Sequence, residues 1–561
     1  MTAERPRGWR LLATALRTRT SASMLAFGFS SGLPFALLIG TLNAWLGEAK
    51  VNLATIGVLS WIGLAYAFKF LWSPLVDRMR LPVLSALGRR KGWIILCQAV
   101  LIGALVMLSV TDPAANIGRF AIFAVIGALA SATQDVAIDA WRIDVADEAT
   151  PVELLSAIYQ LGYRTAAIVG GAFALFLAAR MSWTGVYLFM AGVLGVMLLV
   201  ALTAPDTKRP RGANDDAALA LPGELTPRAR ALALLVVGVS WVWAIATIGR
   251  FMVAMLADMP VGAVRPSASD FLKHDGPWIV AATILLPLAV AGVVNALKAR
   301  GKAVQMSADP VRSGVRTAAN HLYGALIAPL ADLTQRLGWG VLLVIALILT
   351  YPLCYNIWAS FAYPFYLDYM HYTKDEVAFA SKIFGIVMSI VGVSLGGILF
   401  LKLGRFPTVL IGAAMPIFGN FIYADLAEGA AHIDVVLHLF RLDTLAALAG
   451  SDIRMARLLL TIFYENISTG LAGAAFMAFV SGIVSKRFAA VQYALLPSLT
   501  FSIGSLGKGV AGEAFDKYGY ASVFRWVAAT GLIAIAFVLA EWWRSTRVPR
   551  VSEPGHTGEL A

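Results

Sequence analysis

The sequence predicts an all-α membrane protein, two six-helix halves with an inserted two-helix hairpin, about fourteen transmembrane helices in all. Three observations carry that expectation: 59% of the 561 residues are hydrophobic, only 14% are charged, and the mean hydropathy is +0.75. Soluble domains average roughly 45–50% apolar and about 25% charged residues. A water-exposed surface for a 59.9 kDa chain cannot be built from this composition. The same figures exclude a disordered chain. Two cysteines, Cys97 and Cys354, exclude a disulfide scaffold, and both lie in apolar segments where small core hydrophobes are expected.

A helix crosses the hydrocarbon layer with about 20 apolar residues. The segments that meet this need have cores at 22–45, 53–75, 93–110, 118–140, 153–179, 184–203, 231–257, 277–298, 338–367, 376–401, 406–424, 455–484, 490–513 and 522–543. The first runs Gly28-Phe29-Ser30-Ser31-Gly32-Leu33-Pro34 without an Ala-x-Ala exit, so it is expected to stay as a spanning helix rather than to be cleaved as a leader. Lys and Arg accumulate in short cytoplasmic loops. Here every second loop is basic, from Arg5, Arg7 and Arg10 before the first helix to Arg544, Arg547 and Arg550 at the end, which puts both termini in the cytoplasm. Most of the net charge of +12 then records orientation and does not point to nucleic acid.

The expected domains are an N-terminal half at 1–204, a linker with the hairpin at 205–337, a C-terminal half at 338–545 and a tail at 546–561. Residues 299–337 form a basic, partly amphipathic stretch suited to the inner membrane surface. The loop 425–454, with His432, Val435, Val436, Leu439 and Leu442, predicts an amphipathic helix, either resting on the outer interface or serving as a lid. Two six-helix halves with both termini inside is the plan of transporters whose halves alternate access to a central site.

Ionisable groups inside spans are costly, so each is a functional candidate. In the fourth segment Gln134, Asp135, Asp139 and Arg142 fall in the cytoplasmic third, and Lys69 of the second reaches the same depth. Asp135 and Asp139 share a helix face. That cluster reads either as an inner ionic latch or as a binding and proton-coupling site. Arg164 and Glu465 fall near the midplane, a fixed cation for a carboxylate and a carboxyl for proton coupling, with a plain salt bridge across the halves as the other reading. Lys382 lies slightly inside the outer face, where it could line a cavity or snorkel. Tyr351, Tyr355, Trp358, Phe361, Tyr363, Phe365 and Tyr366 crowd one helix and suit either sugar faces or an interfacial belt. Gly28, Gly32, Gly170, Gly171, Gly396, Gly397, Gly470 and Gly473 are expected at close helix contacts. The sequence holds no phosphate loop, His-Glu-x-x-His or Gly-x-Ser-x-Gly, and its six histidines are scattered, so neither catalysis, a metal nor a cofactor is expected.

Five runs together resemble the AmpG-type muropeptide permeases of the major facilitator superfamily. They are Gly28-Phe29-Ser30-Ser31-Gly32-Leu33-Pro34 continuing to Thr41-Leu42-Asn43-Ala44-Trp45, Lys69-Phe70-Leu71-Trp72-Ser73-Pro74-Leu75-Val76-Asp77-Arg78, Gly88-Arg89-Arg90-Lys91-Gly92-Trp93, Ser131-Ala132-Thr133-Gln134-Asp135-Val136-Ala137-Ile138-Asp139-Ala140-Trp141, and Glu465-Asn466 leading into Gln492-Tyr493-Ala494-Leu495-Leu496. The resemblance covers 20–205 well and 340–545 more loosely. It implies an inner-membrane carrier that brings anhydromuropeptides from periplasm to cytoplasm with protons. It also implies that Asp77 and Arg78 with Arg89, Arg90 and Lys91 form a latch at the cytoplasmic ends. Where the family commonly shows Gly-Asp, this chain reads Cys354-Tyr355-Asn356.

The expected partners are thus an anionic glycopeptide, protons and membrane lipid. Arg164, Lys382, Gln134, Asn43, Asn356 and Trp358 are the expected substrate contacts; Glu465, Asp135 and Asp139 the proton-coupling acids; Lys69, Asp77, Arg78, Arg89, Arg90 and Arg142 the inner gate. The alternatives are a facilitator for another anionic solute, such as an acyl-coenzyme A or a drug, and more remotely a membrane enzyme or sensor.

Overall fold

A computed structural model describes residues 18–547 apart from 74–75, 77–78, 80, 83, 148–149, 151, 206–224, 258–264, 303–321, 325, 449 and 486–488. Helices form at all the segments expected to span. In chain order they are α1 (Arg19–Glu48), α2 (Leu53–Phe68), α3 (Arg89–Ser109), α4 (Ile117–Val145), α5 (Leu154–Ala178), α6 (Trp183–Thr203), α7 (Pro227–Leu256), α8 (Gly276–Gly301), α9 (Gly340–Phe361), α10 (Lys374–Leu403), α11 (Arg405–Ala427), α12 (Ile453–Ser481), α13 (Ala489–Tyr518) and α14 (Tyr520–Arg547). Among the described residues eleven of them are long and apolar enough to cross a membrane, and α2 is a shorter apolar helix. No β-strand occurs among the described residues. In hydrocarbon the backbone has no water to bond, and helices satisfy it locally.

Local chemistry sets the ends. Asn52, Ser182, Thr226 and Asp452 cap α2, α6, α7 and α12 through their side chains. Thr373 and Glu376 form a capping box at the start of α10. Gly404, at φ 82°, and Gly519, at φ 75°, take the left-handed conformation in the tight α10–α11 and α13–α14 turns.

Glycine brings backbones together within each half. A Cβ at Gly28 or Gly162 would collide with the carbonyl of Tyr159 or Leu25, so α1 and α5 touch backbone to backbone. In the other half Gly392 and Gly470 meet the carbonyls of Ile467 and Ser389 across α10 and α12, and Gly396 meets Ala474 and Leu471. Gly28, Gly32, Gly170, Gly396 and Gly470 therefore serve packing, whereas Gly397 and Gly473 face open space.

The halves meet along two seams. On one, α2 runs along α13, with Gly57 against the Lys508 carbonyl and Gly512 against that of Leu53. The hairpin α7–α8 lies over this seam: Trp61 of α2 packs on Phe251 and Phe271 at 5.5 and 5.8 Å, and Glu513 of α13 accepts from Ser267 Oγ at 3.1 Å and the Ser269 amide at 3.0 Å. At its other end Asn295 donates to Ala331 O and Thr334 Oγ1 of the helix Ala328–Leu337. Of the stretch 299–337 expected on the membrane surface, 303–321 lie outside the described residues, and the helix that is described differs from that expectation. Its apolar side, Leu330 and Leu333 included, is buried against the protein rather than laid on a membrane surface, because Gln492 holds it by bonds to Pro329 O and Asp332 at 2.8 and 3.1 Å.

The α5–α10 seam is shorter. Its contact is concentrated where two π-helical turns meet, Val169–Phe173 of α5 and Ala378–Phe384 of α10, with the π turn Ala36–Thr41 of α1 behind them. π turns leave local backbone irregularity and recur at functional sites.

Backbone-to-backbone crossings leave no room for side chains, and overpacking costs about 1–3 kcal/mol. Gly162→Leu is expected to lower the melting temperature of the detergent-purified protein by several degrees. Gly192→Leu, whose Cβ would meet nothing within 4 Å, is expected to leave it unchanged.

Candidate functional site

In the N-terminal half the charged groups converge on Asp135, which is 8% exposed. Lys69 reaches its Oδ2 at 3.4 Å, and Ser31 of α1 donates to its Oδ1. The Ser31 hydroxyl shares a 2.7 Å hydrogen bond with the Tyr159 hydroxyl of α5, and Arg142 stacks over that ring at 5.4 Å while pairing with Asp139 at 2.9 Å. Residues from α1, α2, α4 and α5 are thus joined in one polar network. Lys69 lies in the 3₁₀ turn Lys69–Leu71 that ends α2, and this turns its side chain toward α4. Gln134 is fully buried beside the network and donates to Ser30 at 3.1 Å.

At one end of α4, Asp144 accepts from Arg90 at 3.1 Å and lies 3.9 Å from Arg89, so those cations brace the N-terminal half from within. Asp77 and Arg78 lie outside the described residues.

The C-terminal half holds a second polar group. Lys382 of α10 and Glu465 of α12 are both half-buried and lie within electrostatic reach of each other. The Lys382 ammonium sits 5.2 Å over the Tyr363 ring, and its stem packs on Gly171 of α5 across the seam. Asn466 donates to Glu465 at 2.9 Å and accepts from Ser389 at 2.9 Å. Tyr366 and Tyr423 share a hydrogen bond of 2.5 Å, and both lie within electrostatic reach of Glu465.

Arg164 is exposed on α5. It lies seven residues before Gly171, nearly two turns and about 10 Å along the helix. Arg164 and Glu465 form no ion pair; Lys382 is the cation next to Glu465. Of the other expected contacts, Asn43 is buried and donates to Ile39 O at 3.1 Å, Trp358 is packed at 4.4 Å on Tyr423 and 5.5 Å on Phe524, and Asn356 is half-buried beside Gly504. The aromatic residues around 358–369 pack mainly on Tyr423, Phe515, Tyr520 and Phe524.

Sequence reasoning missed Ser31, Tyr159, Tyr423 and Ser389, which are uncharged and reach the site from other helices. It also missed a clamp. Among the described residues three ion pairs join the halves: Lys50–Asp368 at 2.7 Å, Lys374–Glu48 at 2.7 Å and Arg180–Asp375 at 2.9 Å. All three lie at the end that carries the α1–α2 and α5–α6 connections. Trp183 adds a 2.8 Å bond to Glu48, and Lys374 donates to Ala178 O at 2.9 Å. At the opposite end the pairs found among the described residues, such as Arg90–Asp144, Arg336–Asp332 and Arg544–Glu541, do not join the two halves.

Two helical halves clamped at one end, with charged groups held at membrane depth on both sides of a seam, define a multi-pass membrane transporter. The chain belongs to the Major Facilitator Superfamily, whose family model matches residues 20–300. It is 27% identical over 524 residues to the anhydromuropeptide permease of Escherichia coli K12, covering 92% of this chain and 79% of the relative. A relative in Rickettsia felis carrying the AmpG 4 name is 24% identical over 514 residues, covering 91% and 94%. These relatives place it with the AmpG-type permeases. Solved structures share the fold: the nucleoside transporter NupG at 11% identity and TM-score 0.55, covering 94% of this chain and 99% of that one, and an auto-inhibited POT family peptide transporter at 13% and 0.56, covering 96% and 99%.

An exposed ion pair contributes up to about 1 kcal/mol, and that much shifts a two-state ratio by about fivefold. Lys374→Ala is therefore expected to raise thiol labelling of a cysteine placed at buried Leu46 several-fold. The exchange Glu48→Lys with Lys374→Glu is expected to bring labelling back toward the parent rate.

Proposed function

We propose that the chain imports anhydromuropeptides across the bacterial cytoplasmic membrane, driven by protons, through alternating access of its two halves. What supports this reading is the Lys382–Glu465 group, whose lysine reaches Gly171 of α5 across the α5–α10 seam, together with the exposed Arg164 on α5. Two cations fit a peptide that bears carboxylates. A carboxyl beside a lysine and away from bulk water can exchange a proton as the local field changes. The relatives' name supplies the substrate class.

With both termini cytoplasmic, as the basic loops suggest, the clamped end faces the periplasm and the fold is the inward-facing one. Asp135 then lies on the cytoplasmic side of the cavity. There Lys69, Ser31 and Tyr159 couple α1, α2, α4 and α5, so a change in its proton or partner would be felt by four helices. Asp139, Arg142 and the Arg89–Arg90 brace serve the same end as a gate.

A second reading, transport of another anionic solute, is favoured by one feature: Cys354-Tyr355-Asn356 carries no acid, and Asn420 bonds to Cys354 O at 2.9 Å there instead. Uptake of labelled anhydromuropeptide into vesicles, with and without a pH gradient, separates the two, since the second reading predicts none.

Glu465→Gln is expected to abolish gradient-driven accumulation while substrate exchange continues. Accumulation that still follows the gradient would reject the assignment. Arg164→Ala is expected to raise the KM for uptake about tenfold, the loss of one charge-assisted contact of roughly 1.5 kcal/mol. Arg164→Lys is expected to restore part of it.

A further inference from the structure

Between α11 and α12 the chain forms two short helices, Ala431–Leu439 and Leu442–Leu448. The first turns Ile433 and Leu437 inward. It is tied down firmly: the Asp425 carboxylate accepts the Ile433 amide at 2.8 Å and the His432 amide at 3.2 Å, and Arg457 of α12 grips Asp434 at 2.7 and 2.5 Å. The turns around it are fixed at a backbone cost, since Ala430 at φ 67° and Arg441 at φ 53° are non-glycine residues in the left-handed region.

The second helix has no buried residue. A seven-residue helix is unstable alone in water, and this one, Leu-Asp-Thr-Leu-Ala-Ala-Leu, rests on the chain only through the partly buried Leu442 and Ala446. Its leucines continue an apolar surface from the first helix: Val435 is 65% exposed, Leu439 72%, Phe440 65%, Leu445 59% and Leu448 86%. Surfaces of this kind mark contact with a partner or a membrane.

The surrounding surface identifies the partner. Phe418 and Phe421 of α11 and Ile453 and Phe463 of α12 are also exposed, on helices that flank the pair, so its apolar face is continuous with the lipid-facing belt of the molecule. Charge does not single out an anionic surface: residues 428–457 hold Arg441, Arg454 and Arg457 against Glu428, Asp434, Asp443 and Asp452. We propose that Ala431–Leu448 is an interfacial foot that sinks Val435, Leu439, Phe440, Leu445 and Leu448 into the headgroup–acyl boundary of the leaflet at the clamped end. Apolar burial drives it, not headgroup charge. Because Arg457 begins the helix that carries Glu465 two turns deeper, the foot holds α12 at a set depth while the halves rock.

The test uses the full chain in phosphatidylcholine vesicles, with single cysteines at Leu445, Leu448 or His432 carrying an environment-sensitive dye. Cys97 and Cys354 are buried and leave labelling to the introduced thiols. Dyes at 445 and 448 are expected to be blue-shifted and quenched several-fold more by lipid-borne nitroxide than by aqueous iodide, with the reverse at exposed His432. The pattern is expected to be the same with or without anionic lipid. Equal iodide quenching at 448 and 432 would show a water-facing loop and overturn the proposal. So would a dye at 448 shielded from both quenchers with disulfide-linked dimers forming at that position, which would assign the face to a second copy of the chain.

Discussion

A charge in hydrocarbon is tolerated only with a partner or at an aqueous cavity, and the whole arrangement of this molecule follows from where its few intramembrane charges find one. Lys69 and Asp135 neutralise each other inside the N-terminal half, with Ser31 donating to the carboxylate and Tyr159 bonded in turn to Ser31. Lys382 uses an aromatic face and the neighbouring Glu465 inside the C-terminal half. Neither network crosses to the other half by a direct ion pair. Among the described residues the ion pairs that bridge the halves lie at one end, where making and breaking them costs little.

Packing divides the molecule in the same way. Glycine-lined crossings at α1–α5 and α10–α12 let backbones touch, which makes each half stiff. Irregularity is concentrated between the halves: the π turns of α5 and α10 face each other at the seam, and that of α1 is fastened to them through the Thr41 bond to Gly170 O at 2.5 Å. Stiff bundles with a deformable joint suit rigid-body rocking better than bending of individual helices. The hairpin α7–α8 adds asymmetry by covering the α2–α13 seam, while the α5–α10 side carries the exposed Arg164.

The helical segments were legible because each is a long apolar run, and the Lys69–Asp135 pairing because depth along a helix can be counted. Cross-half contacts were not. Lys50 and Asp368 are 318 positions apart and Arg180 and Asp375 195, and no periodicity signals a meeting of two loops. Depth alone also could not choose partners. It put Arg164 and Glu465 at one level and left a salt bridge between them open, but it did not reveal Lys382 as the cation next to Glu465. The helix at 328–337 looked interfacial for a related reason: an amphipathic face does not say whether lipid or protein covers it, and here Gln492, quoted only as part of a motif, decided for protein.

Gly171 has no side chain, and the space is filled by the stem of a lysine from the opposite half. The same Lys382 thus belongs to two equilibria. Its methylenes report whether the α5–α10 seam is closed, and its ammonium reports what anion is nearby. Any solute whose carboxylate draws the ammonium away from Tyr363 and Glu465 must also alter how the stem sits on Gly171, and parting the seam must in turn alter the ammonium's reach. By thermodynamic linkage the two effects are equal. If the substrate's carboxylate binds Lys382 as proposed, that one side chain would let occupancy and seam closure bias each other without a separate relay.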